Sequence, residues 1–198
     1  MKSDSTNILM AGVGGQGVIL ASFLLSQAAV EAGYDIKQSE VHGMAQRGGS
    51  VTSHLRIGEE VFSPVLSEGM VDVMLSFEPL EAVRNCHFLK ADGLHLYNTA
   101  RVNPSTVTSG ALTYPDDVEE RIASCAPRSL AIDATALAEE AGSARSANVV
   151  LLGALSTLLP IEEGVWDTVL HRELPAKILD LNLRAFAVGR AQTKDWEQ

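Results

Sequence analysis

Asn7–Ala11 (NILMA), Gly12–Gly17 (GVGGQG) and Val18–Ala32 (VILASFLLSQAAVEA) are the segments that decide the fold. The first is a short apolar run typical of a strand buried on both faces, and the third predicts a helix that ends at Gly33. Tyr34–Glu40 (YDIKQSE) then alternates like a strand with one exposed face. These segments predict a strand, loop, helix and second strand, and the right-handed crossover rule makes the two strands parallel.

Alternating and apolar patterns continue through the next hundred residues. Ser50–Ile57 (SVTSHLRI) alternates, and Glu60–Ser63 (EVFS) returns after a Gly-containing turn, which predicts a β-hairpin ended by Pro64. A helix is predicted directly after Pro79, because proline suits a first helical position, and another over 116–124. Further strand patterns lie at Val71–Phe77, Leu94–Asn98 and Ser129–Asp133.

The C-terminal part, about residues 134–192, is mostly helical in pattern. Its last helix places an apolar stripe at helical spacing on Ile178, Leu181, Ala185 and Val188. We interpret Trp166 and the apolar faces of these helices as core or as subunit contacts, homodimer contacts included. The predicted fold class is α/β and Rossmann-like, with a mostly parallel sheet, an inserted β-hairpin and a helical C-terminal part. One domain covers residues 1–198, with its sheet core at about 7–133.

Composition excludes several kinds of partner. The 198 residues include 15 basic and 25 acidic side chains, for a net charge of −10, and 46% of residues are hydrophobic. No local excess of Lys and Arg is present, so we expect neither nucleic acid nor membrane as a partner. Every apolar run is too short to span a bilayer, and the N-terminus leads into a strand without signal-peptide features. The expected location is cytoplasmic.

Cysteine and histidine spacing argues against a metal site. The two cysteines, Cys86 and Cys125, lie far apart in the sequence. This spacing predicts no disulfide framework and no zinc or iron–sulfur ligand set, with both thiols behaving as small, buried apolar groups. His87, His95 and His171 have no partner at ligand spacing and are interpreted as surface or capped histidines.

The glycine motif Gly12-x-Gly14-x-x-Gly17 is informative because it follows a strand and opens a helix. Such glycines allow a tight turn, close approach of a ligand to the backbone, and close packing of helix on strand, while the helix N-terminus offers N–H groups to an anion. Gly15 removes a further side chain, and Glu40 lies near the place of a ribose-binding acid. A phosphate-bearing ligand is favoured; the alternative is a loop that only turns the chain, with Glu40 a solvated strand end.

A second group of polar residues follows Glu40. His42, Gln46 and Arg47 precede Gly48-Gly49, and Arg47 beside two glycines would place a guanidinium next to exposed backbone amides, an arrangement that binds phosphate. Each residue alone also has a purely structural interpretation. No catalytic residue is assigned. The sequence contains no G-x-S-x-G nucleophile motif. Glu40 and His42 are given no proton-transfer role, because that role depends on a geometry that the sequence alone does not show.

Four strings together resemble a known family: GVGGQGVILAS, SEVHGMAQRGGSVTSHLRIG, SFEPLEAVR and NVVLLGALS. They are similar to the gamma-type domain of 2-oxoacid:ferredoxin oxidoreductases, and most closely to the small (beta) subunit of the indolepyruvate branch. The resemblance extends from Ile8 to about Arg190. It implies that the whole chain is one gamma-type domain.

The resemblance implies a complex that decarboxylates a 2-oxoacid on thiamine diphosphate with Mg. Electrons then pass through [4Fe–4S] clusters to ferredoxin, and the acyl group passes to coenzyme A. This chain lacks both the GDG…N signature and a cluster-ligating cysteine set, so a large partner subunit is expected to hold these cofactors. The small subunit is expected to help bind coenzyme A and to cap the active site. Pyruvate-type relatives carry Lys and Asn just after the glycine loop, where this chain has Leu20 to Phe23 (LASF).

Two other functions stay open: a free-standing NAD(P)-binding Rossmann oxidoreductase, and a purely structural subunit whose loop is empty. The candidate cofactor-binding residues are Gly12, Gly14, Gly15, Gln16, Gly17, Glu40, His42, Gln46, Arg47, Gly48 and Gly49.

Overall fold

The computed structural model describes residues 5–43, 48–194 and 196, without the side chains of Ser105 and Thr106. In this part of the chain the strands are β1 (Thr6–Val13), β2 (Asp35–His42), β3 (Ser50–Gly58), β4 (Val71–Ser76), β5 (Leu89–Asn98) and β6 (Ser129–Ile132). The helices are α1 (Val18–Glu31), α2 (Pro79–Asn85), α3 (Ser105–Thr108), α4 (Val118–Cys125), α5 (Ala134–Ala141), α6 (Ala147–Ser156), α7 (Glu163–Glu173) and α8 (Ala176–Thr193). Short 3₁₀ turns lie at Cys86–Phe88 and Ala144–Ser146.

The strands form a six-stranded sheet in the order β2-β3-β1-β4-β5-β6. β1, β4, β5 and β6 are parallel, whereas β3 pairs antiparallel with both β1 and β2. The predicted α/β class with a mostly parallel sheet is confirmed. The strand order reverses between β1 and β4, because the chain leaves β1 toward β2 on one side and returns to β4 on the other. In open α/β sheets such a point is where ligands bind, at the carboxyl ends of the strands.

The predicted hairpin is partly wrong. β3 does form, but its antiparallel partners are β2 and β1, and Glu60–Ser63 is not a strand. Because β3 already uses both of its edges, no edge is left for a returning strand. The N–H of Val61 instead donates to the Asp35 carboxylate at 2.8 Å, which holds the segment after β3 against the start of β2.

Helices cover both faces of the sheet. One face packs against α1 and α5–α8 around a large apolar cluster that includes Trp166, which is fully buried. The predicted stripe of α8 is partly wrong, since Ala185 is buried but Ile178 is exposed. α8 approaches α6 most closely through Gly189 instead, where a Cβ would lie 1.9 Å from the carbonyl oxygen of Val150. None of the described helices is long and apolar enough to cross a bilayer.

The expectation of two unpaired, buried cysteines is wrong. Cys86, buried at the end of α2, forms a disulfide with Cys125 at the exposed end of α4, with the two Cα atoms 6.2 Å apart. The two residues meet because α2 and α4 pack side by side on the second face of the sheet. Separation along the sequence carries no information about that packing.

His95 is also placed differently from the prediction. It is fully buried on β5, with its ring nitrogens 3.0 Å from the hydroxyl oxygens of Ser129 and Ser76. Burial lowers the pKa of His95 to about 3, so the ring is neutral in the folded protein. His87 and His171 are exposed, as expected for surface histidines.

Candidate functional site

Two glycines of the loop between β1 and α1 are required by packing. A Cβ on Gly12 would lie 2.8 Å from Phe77 Cβ and from Val18 Cγ2. Gly17 has φ +80°, and a Cβ there would lie 2.5 Å from the side-chain nitrogen of Asn148. Glycine at these two positions is therefore explained by the close packing of the loop against the sheet and α6, without a bound ligand.

Gln16 fixes the loop from inside. Its side-chain oxygen accepts a hydrogen bond from the N–H of Val13 at 2.8 Å, and its amide nitrogen donates to the carbonyl oxygen of Phe77 at 2.9 Å. The side chain therefore ties the loop to the ends of β1 and β4. It is the backbone of the loop, and not this amide, that is left for a ligand.

Gly14 joins the loop to a second glycine segment, and Gly15 is the open position beside it. Gly14 donates its N–H to Gly49 O at 2.8 Å and accepts from the N–H of Gly48 at 3.3 Å, so the two glycine segments predicted as anion sites lie together. Gly15 is exposed, has φ +104°, and has no protein atom within 4 Å of an added Cβ. A ligand can therefore approach the backbone at Gly15 without meeting any side chain.

The N-terminus of α1 opens directly beside this loop. Gly17 is its N-cap and contributes no side-chain hydrogen bond, and the first turn contains no acidic residue. The first N–H groups of a helix have no partner within the helix, and the helix dipole leaves partial positive charge there. Within the loop, the N–H groups of Gly14 and Gln16 are already bonded to carbonyl oxygens, so the donors left for a ligand are the other loop N–H groups and those of the first turn of α1. No carboxylate competes with a ligand in that first turn, and such donors are the local chemistry of phosphate binding.

A cavity of about 430 Å³ opens on the β3 side of the loop. Most of its walls are aliphatic, with loop backbone along one side and the exposed His42 at the rim. It is lined by Val13, Gly14, Gly15, Gly17, Val18, Ile19, His42 and Val51. We call it the loop cavity. It suits an extended, weakly polar chain attached to a phosphate group.

A second cavity, of about 350 Å³, lies on the β4–β5 side of the same loop. Its wall includes Gly15 and Gln16 together with two arginines, Arg101 and Arg145. We call it the arginine cavity. Neither arginine lies in a motif, so the sequence alone did not identify them as candidates. The available signal was position: Arg101 follows the carboxyl end of β5, at the edge where the loop also lies.

The exposed Arg101 contacts one buried aromatic ring and one exposed carboxylate. Its guanidinium lies 5.2 Å from the centre of the Tyr114 ring and 3.5 Å from a carboxylate oxygen of Glu119. The Tyr114 hydroxyl donates to Glu78 at 2.6 Å, and the same Glu78 oxygen accepts from Val102 N at 3.3 Å. Burial raises the pKa of Tyr114, so the phenol stays protonated as the donor. Arg145 is exposed and has no carboxylate partner within the described residues.

The remaining candidate residues are only partly brought together. Glu40 is exposed on β2, accepts from Gln38 at 2.8 Å, and lines neither cavity described above. Because β3 lies between β2 and β1, the backbone of Glu40 is two strand spacings, about 10 Å, from β1. In a dinucleotide-binding fold the second strand pairs directly with the first, which brings its ribose-binding acid much closer to the glycine loop. His42 is at the rim of the loop cavity. Gln46 and Arg47 lie outside the described residues.

Other polar residues of the second group make structural contacts. The His54 ring packs edge-on against Phe88, with 5.5 Å between ring centres, and burial lowers the pKa of His54. Arg56 donates to Asn7 at 3.0 Å near the amino end of β1, far from the loop. Neither faces a cavity described above.

The described residues do not fit a metal or cluster cofactor. No group of three or more His, Cys, Asp or Glu side chains lies together anywhere in that part of the chain, and its two cysteines are bonded to each other. The polar groups around the loop are instead backbone N–H groups and the two arginines that line the arginine cavity, and such groups bind anions.

A glycine loop at the switch point of a mostly parallel sheet places this chain in the α/β class of folds, in which ligands bind at such a point. The family model for pyruvate ferredoxin/flavodoxin oxidoreductase matches residues 7–192, and the chain belongs to this family. It is a subunit of a 2-oxoacid:ferredoxin oxidoreductase.

Relatives agree over nearly the full length. The indolepyruvate oxidoreductase subunit IorB of Thermococcus kodakarensis is 42% identical over 194 residues, which is 96% of each chain. A keto/oxoacid ferredoxin oxidoreductase gamma subunit from Geobacter sulfurreducens has the same fold, with a TM-score of 0.70, 22% identity and coverage of 96% and 98%. A third match is the 2-oxoglutarate:ferredoxin oxidoreductase from Magnetococcus marinus, solved with 2-oxoglutarate, coenzyme A and succinyl-CoA bound. Its TM-score is 0.73 and its sequence identity is 25%, and the match covers 98% of this chain and 32% of that one.

Proposed function

We propose that this subunit binds coenzyme A at the glycine loop and closes the active site of a thiamine-bearing partner subunit. The complex would oxidatively decarboxylate an aryl 2-oxoacid of the indolepyruvate type to its acyl-coenzyme A and reduce ferredoxin. Support for this substrate class is the 42% identity to an indolepyruvate oxidoreductase subunit over 96% of both chains.

The observation that carries this proposal is the exposed backbone at Gly15 beside the start of α1, with a cavity on each side of the loop. The pyrophosphate of coenzyme A would lie on the N–H groups of the loop and helix. Its 3′-phosphate would reach Arg101 and Arg145 in the arginine cavity, since guanidinium groups bind phosphate through paired N–H donors. The pantetheine arm would follow the aliphatic loop cavity toward its mouth near His42 and Ile19.

The cofactor chemistry is assigned to the partner subunit. Thiamine diphosphate with Mg and [4Fe–4S] clusters would supply decarboxylation and electron transfer there, because the described residues of this chain offer no ligand set for either group. The contribution of this chain is then to hold the thiol close to the reacting acyl group and to exclude water. No proton transfer is assigned to His42.

Two ligands that differ by one phosphate test this assignment. Coenzyme A and dephospho-coenzyme A are titrated calorimetrically into the assembled complex carrying Arg101→Gln or Arg145→Gln. We expect each variant to weaken coenzyme A by about tenfold, or 1.4 kcal/mol, and to leave dephospho-coenzyme A unchanged. Arg121→Gln is the control, because Arg121 forms an exposed ion pair with Asp117 on α4.

If the arginine variants lose the same affinity for both ligands, or lose none, the 3′-phosphate does not bind in the arginine cavity. The same titration with NADH separates the two other functions. Micromolar NADH binding by the isolated chain would favour a free-standing NAD(P)-binding oxidoreductase. Normal assembly and turnover by loop variants that bind no coenzyme A would favour a purely structural subunit.

A further inference from the structure

Helix α1 is apolar on its outer face as well as on its inner face. Four large apolar side chains on it are exposed: Ile19 (49%), Leu20 (38%), Phe23 (40%) and Val30 (59%). The inner face is buried through Val18, Ala21, Ser22, Leu24, Leu25, Ala28 and Ala29. A surface helix normally carries polar residues on its outer face, and a helix that is hydrophobic all round is one that is covered all round.

The exposed apolar side chains lie along one side of the helix, with the half-buried polar residues Ser26 and Gln27 in the turn between Phe23 and Val30. Ile19, Phe23 and Val30 follow each other at spacings of four and seven residues, which places them along one side of the helix, and Leu20 flanks the first two. The row is about 16 Å long at 1.5 Å per residue. We call these four residues the α1 stripe.

Ile19 lines the loop cavity and is also exposed, so the α1 stripe begins where this wall of the cavity reaches the protein surface, at the mouth of the cavity. The thiol end of a ligand lying in that cavity would leave it beside the stripe. Any subunit that carries the acyl group to this thiol must therefore meet the surface around Ile19.

We propose that the α1 stripe is the docking surface for the thiamine-bearing partner subunit, an inference that rests on the proposed function. Contact at this surface brings the partner's reacting group to the cavity mouth and excludes water from it in one step. In the Magnetococcus marinus enzyme the matching region is 32% of a longer chain, so there this fold is part of a larger polypeptide.

A second copy of this chain fits the α1 stripe less well. A symmetric dimer through α1 would place another small subunit over the mouth of the loop cavity, where the acyl donor has to enter. Stable interfaces bury about 800 Å² per partner, so four side chains supply only the apolar centre of such an interface, with a polar rim around it.

Another exposed apolar group serves as an internal control. Phe62 (84%) and Val65 (66%) lie in the connection from the end of β3 to the start of β4. Because β3 is antiparallel to β1, this connection is at the amino edge of the parallel strands, opposite the glycine loop. It has no relation to the cavity mouth.

Copurification measures the docking. The chain is coexpressed with an affinity-tagged thiamine-bearing subunit, and the amount recovered with the tag is compared for wild type, Phe23→Asp, Val30→Asp and the control Phe62→Asp. A buried, unpaired carboxylate is costly in an interface, so we expect at least a tenfold loss for Phe23→Asp and Val30→Asp and full recovery for Phe62→Asp. Circular dichroism and thermal melting of each isolated variant confirm that α1 remains folded.

Wild-type recovery of both folded α1 variants would overturn the proposal. A folded wild-type homodimer that becomes monomeric in Phe23→Asp, with unchanged recovery on the tagged subunit, would also overturn it and assign the stripe to a second copy. Failure of the proposed function looks different. In that case the α1 variants lose the partner, but the wild-type complex shows no coenzyme A binding in calorimetry.

Discussion

Replacing Gly15 with alanine separates the ligand-facing role of the loop from its effect on stability. Gly15 has φ +104°, and an added Cβ would meet no protein atom within 4 Å. The change therefore costs only backbone strain, about 1–2 kcal/mol for a non-glycine residue in the left-handed region. For a chain of this size each kcal/mol lowers Tm by about 2–4 °C. The added methyl group, however, occupies the surface that the phosphate of coenzyme A would approach.

Gly33→Ala is the matched control. Gly33 lies just after α1, with φ +86° and no atom within 4 Å of an added Cβ, so its strain is similar and its position is remote from the cavities. We expect both variants to melt a few degrees below wild type in calorimetry. Only Gly15→Ala should weaken coenzyme A, by about 10–100-fold or 1.4–2.8 kcal/mol, in titrations of the assembled complex. Equal affinity for coenzyme A in the two variants would refute the idea that the ligand approaches the backbone at Gly15.

Three further predictions concern stability. Burial lowers the pKa of His95 to about 3 from 6.5, so the unfolded chain binds one proton more than the folded protein between these pH values. As pH falls through that range, this group should lower the free energy of unfolding by up to about 1.4 kcal/mol per pH unit. In urea melts at several pH values, the free energy of unfolding of His95→Gln should therefore depend on pH less steeply than that of wild type, by the same amount. Gly189→Ala should destabilise the protein by about 2 kcal/mol or more, because the added Cβ would overlap a backbone carbonyl of α6. Gly164→Ala should stabilise it by about 0.5–1 kcal/mol, because the added Cβ meets no atom and alanine favours a helix. Equal denaturation midpoints for the two variants would contradict the close packing of α8 on α6. Mass spectrometry without reductant should recover the peptides of Cys86 and Cys125 linked, and reduction should lower the unfolding free energy by about 4 kcal/mol through loop closure; free alkylated thiols would contradict the bond.

Local signals predicted the parts of the fold that depend on neighbours in sequence. The run NILMA, the glycine loop and the helix to Gly33 form one strand–loop–helix unit. The residue types of each segment favour the local structure that the segment adopts. The α2 start was also predictable: the Glu78 side chain accepts from the N–H of Leu80 at 2.7 Å, with Pro79 at the first helical position.

Long-range contacts account for most of what the sequence did not reveal. Alternation in SVTSHLRI indicates a strand but not its neighbours, so the insertion of β3 between β1 and β2 was not foreseen. His95 depends on Ser76 and Ser129, which come from two other strands. The disulfide depends on how two helices pack. In each case the deciding partner is far away in the chain.

The candidate site divides in the same way. Gly14 and Gly15 were identified from the motif, because glycines at these positions leave the backbone without covering side chains. The contact of Gly14 with Gly49 depends on the pairing of β1 with β3, and Arg101 and Arg145 reach the loop only through the order of the strands. Glu40 lacks a place beside β1 for the same reason, since the inserted strand moves it outward.

A high-resolution structure of the natively purified complex with coenzyme A tests the central claim most directly. We expect the pyrophosphate within about 3 Å of the backbone N–H groups of Gly15, Gly17 or the first turn of α1, and the thiamine-bearing subunit packed on Ile19 and Phe23. Coenzyme A bound wholly by the partner subunit, with the glycine loop facing solvent, would contradict it.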